Sequence, residues 1–112
     1  MKKTEENLYY PENAYADIFG EPHYHNLPAD AEESLEYVFG MLSERETDIL
    51  LLRYRDEMTL EEIAMKKDGI TRERARQILA KALRKIRHPS RSRILLYGRE
   101  IYLNVSSTKR PQ

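Results

Sequence analysis

The sequence contains no cysteine, and this absence excludes disulfide bonds and thiolate chemistry. No apolar run approaches the length of about 20 residues that a membrane-spanning helix needs, and no signal peptide is recognisable behind Met1. A chain of 112 residues is expected to form one small domain with tails. We therefore expect a cytoplasmic protein without a membrane partner.

The signatures of an enzyme are also missing from the sequence. There is no glycine-rich phosphate-binding loop, and the carboxylates are placed as helix caps and solvated faces. His23 and His25 lie close together, but two histidines without a third ligand make a weak metal site. Ser90 and Ser92 beside His88 do not form a catalytic arrangement, because nothing orients a base. We expect no enzyme activity, no metal and no cofactor.

The net charge of zero conceals an unequal distribution. Residues 1–58 contain five Lys and Arg against fourteen Asp and Glu, a net charge of −9, whereas residues 59–112 contain fourteen against five, a net charge of +9. Such asymmetry suggests that one end of the chain meets a polyanion. The alternative is that the two halves simply attract each other. The positive charge coincides with a helix-turn-helix pattern, so we favour nucleic acid.

Two helix starts lie close together in the positive half. Thr59 and Glu62 have the T-x-x-E spacing of a capping box, and Thr71 is a plausible N-cap for a second helix. Gly69 lies between them and can turn the chain through a positive φ. The second helix has an apolar face at helical spacing, which consists of Ala75, Ile78, Leu79, Ala82, Leu83 and Ile86. This order predicts a helix-turn-helix.

The opposite face of the second helix carries side chains that can read DNA bases. Arginine can bind guanine O6 and N7, glutamine can pair with adenine, and glutamate can accept from cytosine N4. Ala80 is small enough for the backbone to approach a base pair closely. We predict base contacts for the four residues of this face, Arg72, Glu73, Arg76 and Gln77.

The preceding segments have helix starts of their own. Asp30 can cap a helix through Met41, and Ser43 with Glu46 forms another capping box. Helices are expected at about 31–41, 44–54, 60–67 and 71–87, which predicts an all-α bundle. Ser90 can begin a further short helix that Gly98 ends. Among these helices, Leu51 is expected to be additional apolar surface rather than core.

The two ends of the chain are harder to assign. Residues 1–29 are expected to form an irregular acidic arm, although some of its aromatic residues should pack onto the domain: Tyr9, Tyr10, Tyr15, Phe19 and Tyr24. Residues 101–105 alternate like a strand, and residues 106–112 are expected to be disordered. The predicted organisation is an arm over 1–29, a helix-turn-helix domain over 30–97 and an extension over 98–112.

Four stretches together resemble the fourth, C-terminal region of primary bacterial sigma factors: L-S-E-R-E-T-D-I-L-L-L-R-Y, T-L-E-E-I-A, T-R-E-R-A-R-Q-I and K-A-L-R-K-I-R-H-P-S-R-S. The similarity covers about residues 35–96, and nothing before it resembles the other sigma regions. The chain departs from the family pattern at Lys67 in place of an aromatic residue, at Ala75 in place of a larger aliphatic residue and at Leu79 in place of an acidic one. The turn before Ile70 is also one residue longer than in the family. Leu79 can fill the volume left by the small side chain of Ala75.

The resemblance implies a function in transcription. In sigma factors the second helix of this region binds the promoter −35 element, while an apolar surface of the first half binds the flap of the RNA polymerase β subunit. By matching position, base contacts fall on the face already described. Phosphate contacts are implied for Arg45, Arg53, Thr59, Leu60, Thr71, Lys81 and Arg84. Lys85 and Arg87 are implied as further phosphate contacts or as contacts to an activator.

The resemblance leaves an alternative open. The protein could be a polymerase-binding module with little DNA binding of its own, either a sigma-region mimic or one part of a split sigma factor with a separate sigma-like subunit. The alternative for each arginine is a solvated helix side chain. Either function implies a bacterial, phage or mobile-element origin.

Overall fold

The computed structural model describes residues 8–20 and 27–108, with side chains as far as residue 104. Within these ranges the chain forms seven α-helices and no strand, so the all-α prediction is confirmed. A π-helical turn, Leu51–Arg55, continues α3. The helices are α1 Glu12–Phe19, α2 Ala31–Phe39, α3 Glu44–Leu50, α4 Leu60–Lys66, α5 Arg72–Ile86, α6 Pro89–Tyr97 and α7 Arg99–Thr108. In the part of the chain that the structure covers, no helix has both the length and the apolar character needed to cross a membrane.

Local capping signals set the starts of α3, α4 and α5. In the capping box of α3, Glu46 N–H donates to Ser43 Oγ and Ser43 N–H donates to Glu46 Oε1, both at 3.1 Å. Thr59 and Glu62 form the equivalent box at the start of α4. Thr71 accepts a 3.0 Å hydrogen bond from Arg74 N–H at the start of α5. These caps confirm the predicted helix starts.

The helix-turn-helix consists of α4 and α5. Gly69 lies in the turn between them with φ +85°, a conformation that favours glycine. On α5 the predicted apolar face is buried, and Leu79 is 8% exposed beside the fully buried Ala75. Leu83 is half-buried and packs against the core. The core continues through Ile63 of α4 to the helices before it.

The upstream helices supply the rest of the core. Buried side chains from α2, α3 and the π-helical turn include Leu35, Val38, Phe39, Ile49, Leu50 and Leu52. The expectation for Leu51 is wrong, because this side chain is half-buried and packs against the core.

The expectation of an irregular arm is wrong for residues 12–19, which form α1. This helix buries Ala14, Tyr15 and Ile18 against the other helices. Tyr15 donates a 2.8 Å hydrogen bond to the carbonyl oxygen of Leu95. The expected packing of arm aromatics is thus confirmed for Tyr15, whereas Tyr9 is 63% exposed. His23, Tyr24 and His25 lie outside the described residues.

The predicted short helix is confirmed as α6, which Gly98 ends with φ +92°. Its predicted start is wrong, because His88 and not Ser90 is the N-cap: the ring of His88 accepts from Ser90 N–H at 3.2 Å, and Pro89 is the first helical residue. The predicted strand at 101–105 is wrong, because α7 runs through it, and disorder is wrong for residues 106–108. Residues 109–112 lie outside the described ranges. Two groups of the α2 region explain the helix: Ser34 Oγ accepts from Arg99 N–H at 2.7 Å, and Asp30 Oδ2 accepts from Glu100 N–H at 3.0 Å. These acceptors satisfy first-turn N–H groups that lack partners within a helix.

The role of Asp30 therefore differs from the one expected. It occupies the N-cap position of α2, but its carboxylate makes no capping hydrogen bond to that helix. It accepts from the start of α7 instead. A residue that local spacing assigns to one helix thus caps another that is 70 positions away along the chain.

Candidate nucleic-acid interface

The predicted base-reading face of α5 is exposed as a unit. Arg72, Glu73, Arg76 and Gln77 all lie on the solvent side of the helix, and Ala75 between them is fully buried. The core thereby fixes the rotation of α5 about its axis and directs these four side chains outward. The structure brings the four residues together as predicted, while their contact with bases stays a prediction.

Glu73 connects two members of this face. Its Oε1 accepts from Arg76 Nε at 3.0 Å, and its Oε2 accepts from Arg76 Nη2 at 2.6 Å. Gln77 Nε2 donates to the same Oε2 at 3.3 Å. The hydrogen bonds from Arg76 hold the pKa of Glu73 below its ordinary value, and Glu73 raises the pKa of Arg76. Both groups are therefore charged at neutral pH.

The predicted phosphate contacts fall into two groups. Arg45, Lys81 and Arg84 are exposed, and Thr71 is exposed at the N-cap of α5. Arg53 is half-buried, and its Nη1 donates a 2.9 Å hydrogen bond to the carbonyl oxygen of Met58. It therefore fixes the loop between the π-helical turn and α4, which a sequence pattern could not indicate.

The start of α4 is also partly engaged within the protein. The N–H of Thr59 donates to Glu62 Oε1 at 2.9 Å, and Thr59 Oγ1 accepts from Glu62 N–H at 3.1 Å. Leu60 is half-buried and packs against the core. A phosphate at this helix end would have to bind beside an occupied capping box and two glutamates of the first turn, which reduces the electrostatic attraction.

The cations at and just after the C-terminal end of α5 take part in packing rather than being left free. Lys85 Nζ binds Glu46 Oε2 of α3 at 2.8 Å, and Arg91 Nη1 donates to the carbonyl oxygen of Lys85 at 3.0 Å. Arg87 donates to carbonyl oxygens of α1. These roles depend on elements that are distant in sequence, so residue spacing carried no signal for them.

Lys67 marks the chain's clearest departure from the sigma pattern. Instead of an apolar contact it makes an ion pair with Asp48 of α3. The side chain of Lys67 is 29% exposed, so the charge remains in contact with water. This pair ties the turn of the helix-turn-helix to α3.

The fold and the exposed face of α5 agree with a comparison to known protein families. The family model described as "Sigma-70, region 4" matches residues 38–88 of this chain. Residues 38–88 match sigma-70 region 4. The matched segment begins within α2 and ends after α5, so α1, α6 and α7 lie outside it. The resemblance stated from the sequence is therefore confirmed, and it includes the whole base-reading face.

Two curated relatives carry this sigma-70 region 4 sequence as part of much longer chains. RNA polymerase sigma factor SigA of Bacillus sp is 53% identical over 78 residues, which cover 61% of this chain and 20% of SigA. RNA polymerase sigma factor SigA1 of Synechococcus elongatus is 55% identical over 67 residues, covering 56% of this chain and 16% of SigA1. The chain thus spans a fifth or less of the length of these relatives.

Proposed function

We propose that this protein is a transcription regulator that binds promoter DNA of the −35 type through α5 and also contacts RNA polymerase. The observation that carries the proposal is the exposed group Arg72, Glu73, Arg76 and Gln77 on a helix that matches sigma-70 region 4. The matched relatives are named RNA polymerase sigma factors. No catalytic activity is part of this function.

The dimensions and charge of α5 support insertion into a major groove. Its 15 residues correspond to a length of about 22 Å, and the groove of B-DNA admits one α-helix. The helix carries six Lys and Arg against one acidic residue, Glu73. Lys81 and Arg84 extend the exposed charge beyond the base-reading face, where they are proposed to bind phosphates and set the register of the helix.

A polymerase contact requires an exposed apolar surface in the first half of the domain. Leu51 does not provide it, because this side chain packs against the core. Tyr37 and Met41, at and after the end of α2, are 39% and 46% exposed. We place the flap contact at these two residues. Met41→Asp should therefore reduce capture by RNA polymerase, whereas Met65→Asp on α4, which is 80% exposed, should leave it unchanged.

One observation favours the second candidate function, a polymerase-binding module with weak DNA affinity. Several of the cations and donors assigned to phosphates are engaged inside the protein, namely Arg53, Thr59, Lys85 and Arg87. Each phosphate contact that is lost lowers DNA affinity and the dependence on salt. In this case the chain would depend on polymerase, or on a separate sigma-like subunit, to reach a promoter.

Fluorescence anisotropy with a −35-containing duplex and a random duplex, at two salt concentrations, separates the two functions. Arg76→Ala should cost about 1–3 kcal/mol on the preferred duplex and relax the preference at one base position. Lys81→Ala should weaken binding to both duplexes alike and reduce the salt slope by about one contact. Equal losses on both duplexes for both variants would show that α5 does not read bases. Polymerase capture without measurable DNA binding would establish the second function.

A further inference from the structure

The C-terminal helix α7 lies outside the segment that matches sigma-70 region 4, and it packs on α2. Arg99 is the first residue of α7, and its guanidinium carbon lies 4.7 Å from the centre of the Tyr37 ring. Tyr37 is one of the two exposed residues of the proposed flap contact. The chain therefore covers part of that surface with a helix of its own.

The attachment of α7 to α2 depends on few contacts. Two N–H groups of its first turn donate to Ser34 Oγ at 2.7 Å and to Asp30 Oδ2 at 3.0 Å. Among the side chains of α7 that the structure describes, residues 99–104, none is buried: Tyr102 packs against the core but is half-buried, and Ile101 is 61% exposed. Because burial of apolar surface is the main force that holds a helix on its domain, α7 can be released at small cost.

Asp30 provides a compensating contact in the released state. It occupies the N-cap position of α2, yet its carboxylate caps α7 and makes no capping hydrogen bond to α2. When α7 leaves, this carboxylate becomes free to accept from the first turn of its own helix, a contact that stabilises a helix start. One acidic group can therefore stabilise either state, which keeps the free-energy difference between the two states small.

A partner that packs an apolar side chain on Tyr37 meets Arg99 first. If the guanidinium stays in place, it is buried at the contact, and a buried charge without a partner is unfavourable. If it is displaced, the cation–π contact is lost, which at an exposed site corresponds to a factor of about two to five in an equilibrium constant. In both cases α7 opposes the partner.

On the basis of the proposed polymerase contact, we propose that α7 is an autoinhibitory strap that covers Tyr37 through Arg99, and that RNA polymerase must release it to bind. The apparent affinity for polymerase is then reduced by the fraction of molecules in which α7 is released. Because the coupling between two equilibria is reciprocal, bound polymerase weakens the docking of α7 by the same factor.

A pair of glycine variants of the full chain tests whether α7 can be released. Gly98 has φ +92°, and a Cβ there would lie 2.6 Å from Asp30 Oδ1 and 3.1 Å from Pro28 Cβ, so Gly98→Ala should force the carboxylate away from α7. Gly20→Ala is the matched control, because Gly20 has φ +79° but nothing within 4 Å of an added Cβ. Hydrogen exchange of α7 amides should become faster in Gly98→Ala and stay unchanged in Gly20→Ala.

The affinity of each full-length protein for polymerase is then measured by biolayer interferometry on the core RNA polymerase of Bacillus, whose SigA is a relative of this chain. Arg99→Ala keeps the backbone and should bind about two- to fivefold more tightly than wild type. Gly98→Ala should gain at least as much, whereas Gly20→Ala and Arg93→Ala, an exposed arginine of α6, should bind like wild type. The gain from Arg99→Ala should disappear in a Tyr37→Ala background, because no ring is left to uncover.

Wild-type protein provides a second readout, since polymerase should accelerate hydrogen exchange at the N–H groups of Arg99 and Glu100. Weaker binding by Arg99→Ala would show that α7 is part of the polymerase contact, and unchanged binding would show that α7 does not compete. Either result overturns the strap while the polymerase contact stands, and Arg99→Ala decides even if Gly98→Ala does not fold. If neither wild type nor any variant binds polymerase, the proposed contact itself fails, and the inference fails with it.

Discussion

Arg87 Nε donates a 2.7 Å hydrogen bond to the carbonyl oxygen of Ile18, which lies 69 residues earlier in the chain. Its Nη2 donates to the carbonyl oxygen of Asp17 at 2.9 Å. Carbonyls in the last turn of a helix lack partners within that helix, and a cation there complements the helix dipole. Arg87 therefore caps α1 and joins it to the end of α5.

This contact predicts that Arg84 and Arg87, which lie near the C-terminal end of α5, have different roles. Arg87→Ala should lower the melting temperature, because α1 loses its cap, and should have little direct effect on the salt dependence of DNA binding. Arg84→Ala should leave the melting temperature nearly unchanged and reduce the salt slope by about one contact, because Arg84 is exposed. Thermal unfolding and anisotropy on the same two proteins check this. The reverse assignment would show that Arg87 leaves α1 to bind phosphate.

The burial of α1 predicts that this N-terminal helix stabilises the domain rather than covering the exposed face of α5. Tyr15 is 1% exposed, and its hydroxyl bonds the backbone of α6, so Tyr15→Ala should cost about 3–5 kcal/mol of unfolding free energy. Tyr9→Ala is the matched control, and its effect should stay within about 0.5 kcal/mol, since that ring is exposed. Urea denaturation measures both. Tighter DNA binding by a fully folded Tyr15→Ala protein would instead indicate an autoinhibitory arm.

The sequence predicted those parts of the fold that depend on neighbouring residues. Ser43 with Glu46, Thr59 with Glu62 and the single cap Thr71 define helix starts through contacts three residues apart. The spacing of apolar residues on α5 then determines which face is buried and which is exposed to solvent. The exposed face of the candidate site could therefore be predicted before any tertiary contact was known.

The remaining features depend on contacts between distant residues. The alternation at 101–105 indicated a strand, but Ser34 and Asp30 of the α2 region cap this segment as a helix. Likewise, the sequence does not distinguish Lys85 and Arg87 from the other cations near the end of α5. Only the structure shows that Lys85 contacts Glu46 and that Arg87 contacts α1. Sequence spacing describes one element at a time, so partners supplied by another element could not be predicted from it.

The pair formed by Glu46 and Lys85 predicts a contribution to stability that depends on pH. Burial by itself would raise the pKa of Glu46, but the hydrogen bonds from Lys85 and Ser43 outweigh it and hold the pKa below the ordinary value of 4.5. A lowered pKa in the folded state means that the unfolded chain binds the proton more readily. The contribution is therefore fully present above about pH 5 and is lost as the pH falls through the folded pKa.

Glu46→Gln keeps an acceptor for the capping box and removes the charge. It should destabilise the protein by about 1–2 kcal/mol at pH 7, less than for a fully buried pair because the Lys85 side chain is 40% exposed. The difference from wild type should shrink toward pH 3. Glu44→Gln, an exposed neighbour in the same first turn, should have little effect at either pH. Melting curves that stay equally separated from pH 7 to pH 3 would rule out this linkage.

Glu57 has φ +57° in the loop before α4, a conformation that costs an L-residue about 1–2 kcal/mol. Hydrogen bonds on both groups of Met58 fix this loop: Met58 N–H donates to Leu52 O at 3.0 Å, and Met58 O accepts from Arg53. Glu57→Gly removes the strain but gives the unfolded chain more freedom, so we expect a net stabilisation of about 0.5–1 kcal/mol. Glu61→Gly within α4 should instead destabilise by about 1 kcal/mol. Chemical denaturation of both variants provides the comparison, and a loss of stability for Glu57→Gly would mean that the glutamate side chain contributes more than its backbone strain costs.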